Sequence, residues 1–239
     1  MLIVGLTGGI AAGKSTVSNK LKNDYHLTIV DADVIAKQVQ EPGNSAYKKV
    51  VEYFGPKVET LLLPDGKIDG PTLGKYVFAN KDELKVLNGI VHPAVRYEIF
   101  KQILWAYVTL NRLVILDVPL LFEAGLDKIC GSTIAVVCKE DVQIERLLAR
   151  NSHLTLDDAH KRINSQMSNH LRIRKADYVI DNSSSLSDLN SQVEGTVQRV
   201  KPSLIVYLLE LIPPFAILSA FGNFVIRRYY DYTKHSKEE

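Results

Sequence analysis

Apolar residues gather here in short unbroken runs rather than alternating with polar ones. Leu2–Leu6, Leu113–Val118, Thr133–Cys138 and Tyr178–Asp181 have this form, and Thr28–Asp31 is a shorter example. An unbroken run predicts a strand covered on both faces, as in a parallel sheet. Between the runs the apolar spacing becomes helical, over Lys14–Asp24, Asp33–Gln40, Asp141–Arg150, Thr155–Met167 and Leu186–Val200. Thr155 with Asp158, and Ser185 with Asp188, have the Ser/Thr-x-x-acid spacing that caps a helix start. Strand–helix alternation predicts an α/β fold with a parallel sheet and right-handed crossovers.

Residues 44–111 break the alternation. They contain no strand pattern and read as a mostly helical insertion, with turns expected at Pro64-Asp65-Gly66, Gly70-Pro71 and His92-Pro93. Ligands bind at the carboxyl ends of parallel strands, so an insertion there is expected to carry substrate contacts.

Composition narrows the class. The chain has 239 residues, enough for one or two compact units, and 29 basic against 27 acidic side chains. That near balance argues against a strongly basic nucleic-acid surface and against a disordered acidic tail. Cys130 and Cys138 cannot build a disulfide framework, and no CxxC or histidine cluster points to zinc. Cys138, inside an apolar run, reads as a small buried hydrophobe. Lys14 is the first basic residue, so no secretory signal is expected, and the chain reads as intracellular and cytoplasmic.

Chemistry enters at residues 8–15. Gly8-Gly9-Ile10-Ala11-Ala12-Gly13-Lys14-Ser15 matches G-x-x-x-x-G-K-[ST] in full, between an expected strand and an expected helix. The glycines let main-chain N–H groups turn around a phosphate, and the helix start adds a favourable dipole. Lys14 would then sit on the β- and γ-phosphates and the Ser15 hydroxyl on Mg²⁺. Leu113-Val114-Ile115-Leu116-Asp117 has the Walker B form, which would bring Asp117 to the same metal.

Three kinds of protein use such a loop. A GTPase switch needs N-K-x-D, but Asn80-Lys81-Asp82-Glu83 lacks the final Asp. A motor ATPase commonly carries Glu after the Walker B Asp, whereas Val118 follows here. A small-molecule kinase needs a carboxylate for the acceptor hydroxyl and a basic lid. Asp31-Ala32-Asp33 can supply the carboxylate, the alternative being that Asp33 merely caps the helix that follows. Glu145–Arg174 holds Arg146, Arg150, Arg162, Arg172 and Arg174, which can clamp phosphates or form an ordinary solvated face.

These residues resemble the dephospho-coenzyme A kinase family over about residues 1–200. The resemblance rests on Val4 to Ser15, Asp31-Ala32-Asp33, Leu87-Asn88 with His92-Pro93, and Asp117-Val118-Pro119-Leu120-Leu121-Phe122-Glu123. Arg146 with Arg150, Arg162 with Gln166-Met167, and Ala176 to Asn182 extend it. It implies a P-loop kinase fold whose five-stranded parallel sheet, ordered 2-3-1-4-5, is flanked by helices, with a helical substrate-binding insertion at 44–111 and a helical lid at 141–175. It implies ATP and Mg²⁺ as cofactors and phosphorylation of the ribose 3′-hydroxyl of dephospho-coenzyme A. It assigns Asp33 and Lys14 to catalysis. ATP falls to Gly8, Gly9, Ile10, Ala11, Ala12, Gly13, Lys14, Ser15, Thr16 and Asn182. Arg146, Arg150 and Arg162 become lid residues, Asp33, His92 and Arg96 acceptor contacts, and Ser15 and Asp117 metal ligands. Gly70-Pro71 and His170-Leu171 depart from the family pattern, which expects an Arg and acidic residues there. Two rivals stand beside this reading: a kinase for another small hydroxyl compound, such as a nucleoside monophosphate, and a membrane-docked nucleotide-binding adaptor without catalysis.

The C-terminal extension, residues 201–239, is unlike the rest. Its 24 positions from 203 to 226 hold one charged side chain, Glu210. A helix of that length is about 36 Å, against about 30 Å of hydrocarbon in a bilayer. Pro213-Pro214 breaks it, and Arg227-Arg228-Tyr229-Tyr230 supplies a basic, aromatic flank. Three readings remain open: membrane contact through residues 203–230, on the cytosolic face of the endoplasmic reticulum or mitochondrion; a helix pair folded on the core; or a partner surface. Nothing in the sequence sets an oligomeric state.

Overall fold

Each unbroken apolar run becomes a strand: β1 (Leu2–Gly8), β2 (Thr28–Asp31), β3 (Leu113–Asp117), β4 (Ser132–Val137) and β5 (Tyr178–Asp181). The computed structural model describes residues 1–151 and 154–235. Its sheet has the order β2-β3-β1-β4-β5, as the resemblance implied, with β1 parallel to β3 and β4, and β4 to β5. The helices are α1 (Lys14–Asn23), α2 (Ala32–Gln38), α3 (Ser45–Phe54), α4 (Gly70–Ala79), α5 (Lys81–Val108) and α6 (Glu140–Arg150). They continue with α7 (Leu156–Asn164), α8 (Asn169–Lys175), α9 (Leu186–Val200), α10 (Leu204–Glu210) and α11 (Pro213–His235). The chain packs as two units, Met1–Val30 with Ala106–Glu239, and Asp31–Trp105.

In the first unit, alternate strand residues face one side. Val4 and Leu6 of β1, Ile115 of β3, Ile134 and Val136 of β4 and Ile180 of β5 pack with Val17 and Leu21 of α1 and with Leu189, Val193 and Val197 of α9. Each such burial contributes about 1.5–3 kcal/mol. The other face is equally dry. A Cβ on Gly5 would lie 2.6 Å from Leu121 Cδ2 and 2.9 Å from Cys130 Sγ, so glycine is what lets that layer close on β1. Both cysteines are free and buried, and burial pushes the Cys130 thiol up to about 12. The two expected capping boxes form: Thr155 and Asp158 start α7, and Ser185 and Asp188 start α9. The helix expected over Thr155–Met167 stops at Asn164, and Ser168 caps a separate α8 by accepting from Leu171 N.

The second unit is helical, with the single β-bridge Leu62–Ile68 among its described residues. Pro64-Asp65-Gly66 turns there as expected, with Gly66 at φ +80°. Two expected turns prove to be helix. Gly70-Pro71 opens α4, where proline's missing N–H costs nothing and Asp69 caps by accepting from Thr72 N. His92-Pro93 lies in the middle of α5, a 28-residue helix. Val91 and Ile99, both buried on the same stripe, show that packing carries α5 through the proline against local preference.

Candidate active site

Gly8 ends β1 and Lys14 begins α1, so the glycine-rich loop is the strand-to-helix turn its motif demands. Gly13 has φ +94°, and a Cβ there would stand 2.0 Å from Asn182 Nδ2. That amide donates to the Ala12 carbonyl at 2.9 Å, while Asn182 N donates to Val137 O at 2.7 Å. The residue after β5 therefore fixes the loop at the centre of the sheet. Ala11 is left-handed at φ +59°, a strained state for a residue with a Cβ. No acidic residue occupies the first turn of α1, so its main-chain N–H groups face no anion from their own helix. Gly13→Ala adds both the clash and a disfavoured φ. Calorimetry is expected to show ATP affinity falling at least tenfold, about 1.4 kcal/mol, with a lowered melting temperature.

Lys14 Nζ lies 2.5 Å from Asp117 Oδ1, and the Asp117 side chain is nearly sealed from solvent. Register explains the meeting: Asp117 ends β3 opposite Leu6, just short of the loop on the neighbouring strand. Ser15 and Thr16, at the start of α1, are exposed.

A polar cluster closes over the loop from α6, α8 and the segment between α7 and α8. Gln166 Oε1 accepts from Ile10 N at 2.8 Å, and Gln143 Nε2 donates to Ile10 O at 2.6 Å. Asn169 Nδ2 donates to Cys138 O at 3.0 Å and accepts, through Oδ1, from Arg172 Nη1 at 3.0 Å. A Cβ on Gly9 would lie 3.0 Å from Gln143 Nε2 and 3.3 Å from Arg172 Nη1, so a side chain there would press on the cluster. Arg172 is 1% exposed, yet its Nε and Nη2 have no hydrogen-bond partner among the described residues. Its nearest carboxylate, Glu123, stands 3.8 Å away and accepts instead from Met167 N at 3.2 Å. Burial pushes the Arg172 guanidinium below its ordinary value, and Glu123 pulls it partly back. Arg146, half-buried, offers a similar donor beside Gly13. Its buried Nη1 has no partner among the described residues and lies 3.9 Å from the point a Gly13 Cβ would occupy. The Cys138 thiol, raised by burial, is pulled down by the same guanidinium.

Lys14, Asp117, Asn182 and Arg146 thus gather around the loop. Arg150 and Arg162 are exposed, on α6 and α7. Gln143 and Asn169 carry no sequence signal, because residues on α6 and α8 give no local mark of bonds to the distant Ile10 and Cys138 carbonyls. A buried and a half-buried arginine, each with unfilled buried donors, suit a polyphosphate, and loop amides can complete such a receptor. Ser15 and Asp117 offer hard oxygens, the donor type Mg²⁺ takes alongside phosphate oxygens and water.

In the second unit, Asp31 and Asp33 divide their work. Asp31 Oδ1 accepts from Asp33 N at 2.9 Å and Val34 N at 3.1 Å, so Asp31 caps α2. The Asp33 carboxylate is exposed and has no hydrogen-bond or ion-pair partner among the described residues. His92 and Arg96 are exposed one turn apart on α5.

The dephospho-CoA kinase family model, CoaE, matches residues 2–188. The chain is 52% identical to dephospho-CoA kinase CAB5 of Saccharomyces cerevisiae over 220 residues, 92% of this chain and 91% of that one. It is 40% identical to the dephospho-CoA kinase of Arabidopsis thaliana, over 85% of this chain and 86% of the relative. The solved dephospho-CoA kinase of Campylobacter jejuni superposes with a TM-score of 0.64 at 28% identity, over 83% of this chain and 96% of that structure. With a phosphate loop, a Lys–Asp pair and this sheet order already in place, the chain belongs to the dephospho-CoA kinase family.

Proposed function

We propose that the chain transfers the γ-phosphoryl group of ATP to the ribose 3′-hydroxyl of dephospho-coenzyme A, giving coenzyme A and ADP. The observation that carries this reading is the pair of partly unbonded guanidiniums, Arg172 beside Gly9 and Arg146 beside Gly13, set against the glycine-rich loop. Phosphoryl transfer is mostly positioning and charge stabilisation, and fixed donors in a dry site supply both. The loop amides hold the β- and γ-phosphates, and Lys14 follows the charge as it develops. Arg150 and Arg162 join the clamp from the lid, and Asn182 stands by the adenine. Bound Mg²⁺, held by Ser15 and Asp117, would neutralise phosphate charge. Asp33 accepts the hydroxyl proton as the ribose oxygen bonds to phosphorus and the bond to the ADP oxygen breaks. His92 and Arg96 hold the acceptor. The free, buried Cys130 and Cys138 suit a reducing intracellular compartment.

Mass analysis of dephospho-coenzyme A incubated with ATP, Mg²⁺ and this protein tests the reading. A product heavier by one phosphoryl group is expected, with matching ADP. Release of ADP with an unchanged acceptor, or turnover only of a nucleoside monophosphate, would refute it.

A further inference from the structure

Residues 203–229 lie beyond the matched family model, which ends at residue 188. Their polar groups are turned towards the protein. Tyr207 OH donates to Leu110 O at 2.8 Å, and its ring lies 5.0 Å from the Arg112 guanidinium carbon. The Glu210 carboxylate takes the Met1 ammonium and the Ser219 hydroxyl, and its carbonyl accepts from Tyr107 OH at 3.0 Å. Arg227 donates to Cys130 O at 2.5 Å, Gly131 O at 3.1 Å and Asp177 Oδ2 at 2.6 Å. Met1, Arg112, Gly131 and Asp177 each precede a strand, so α10 and α11 sit under the amino ends of β1, β3, β4 and β5. The phosphate loop is at the opposite, carboxyl end of β1.

The apolar groups are turned outward. Leu204, Ile205, Leu208, Ile217, Leu218 and Phe221 are each more than half exposed. This inverts the pattern of a helix pair that serves the core, which hides its apolar stripe and wets its polar one. Contiguous apolar surface of this kind marks an interaction site. Charge selects the occupant. Among the described residues from 201 to 229, the exposed charged side chains are Lys201 and Arg228, both cationic, and they bracket the apolar stretch along the chain. Tyr229, beside Arg228, is also exposed, while the side chain of Tyr230 lies outside the described ones. An apolar stretch bracketed by cations and an aromatic fits anionic lipid headgroups over acyl chains. A second copy of the same face would bring like charges together.

We propose that α10 and α11 form a monotopic membrane anchor, lying in the headgroup layer of an anionic bilayer without crossing it. The two helices meet at 110°, and no single helix among the described residues is long and apolar enough to cross a membrane. Tyr207, Glu210 and Arg227 hold the pair bent on the sheet edge, so straightening it would break their bonds. The anchor presents the lipid with the strand ends remote from the phosphate loop, which leaves catalysis on the aqueous side.

Flotation of the full chain with vesicles of phosphatidylcholine plus phosphatidylserine, against phosphatidylcholine alone, tests this. Binding is expected to be about tenfold stronger to the anionic vesicles, and alkaline carbonate should strip it. Leu218→Asp with Phe221→Asp should abolish flotation while leaving the melting temperature and turnover of dephospho-coenzyme A unchanged, because both side chains face outward. A chain that never floats overturns the proposal, as does flotation unaffected by the aspartates. Resistance to carbonate overturns it in favour of a span. A dimer by light scattering that the aspartates dissociate, without flotation, overturns it in favour of self-association.

Discussion

Lys14→Ala is expected to lower kcat by on the order of 10³-fold, about 4 kcal/mol of transition-state stabilisation. The side chain leaves the first turn of α1 and reaches Asp117 at 2.5 Å, so its ammonium already stands at the junction of β1 and β3. Charge moving onto the bridging and terminal phosphate oxygens would meet that ammonium at a site where reorganisation has been completed by folding. Alanine removes the cation and also strips a buried carboxylate of its ion pair, so the melting temperature should fall too. Reading kcat at a temperature well below both melting transitions separates the effects. ADP release within a factor of about three of the parent would overturn the role, since one lost preorganised donor typically costs far more.

Asp33→Asn is expected to be nearly as severe, slowing transfer on the order of 10²–10⁴-fold, the range for a positioned general base. The substitution is nearly isosteric, and Asp31, not Asp33, accepts the N–H groups that start α2. Stability should therefore hold, and ATP affinity by calorimetry should match the parent. The loss should fall in kcat rather than in KM for dephospho-coenzyme A. An Asp33→Asn enzyme turning over at the parental rate would remove this residue from the chemistry. Asp31→Asn is the informative companion, because it weakens the cap and should lower the melting temperature more than the rate.

Much of this was legible because it is local. Unbroken runs such as Leu113–Val118 mark strands hidden on both faces, and β3 is buried at every position, whereas β5 forms with the bounds its pattern indicates but, as an edge strand, leaves Val179 and Asp181 exposed. The loop from Gly8 to Ser15 declares itself because the turn and its chemistry occupy eight consecutive positions. Proline misled twice for opposite reasons: Pro71 belongs to the first turn of α4, and Pro93 rides through α5 on the burial of Val91 and Ile99. Spacing alone left two readings for Asp31-Ala32-Asp33, and only hydrogen bonding assigns the cap to Asp31. The cluster over the loop is legible only in part: Gln166 and Arg172 stand in the lid pattern, and Gln143 and Asn169 do not. Ile10 meets Gln143 and Gln166 across separations of 133 and 156 residues; Gln166 belongs to the lid pattern of the resemblance, whereas Gln143, at a helical position, looks like surface until the sheet brings it in.

The central place of β1 in the sheet bears on how the polypeptide is made. Its partners begin at Leu113 and Ser132, so on a ribosome adding about 5–20 residues per second the first strand waits roughly 6–26 seconds for neighbours. Leu2-Ile3-Val4-Gly5-Leu6 is meanwhile an adhesive ribbon with both edges open, the kind of segment that holdase chaperones shelter. Nascent chains stalled before residue 113 should therefore need such shelter more than chains stalled after 137.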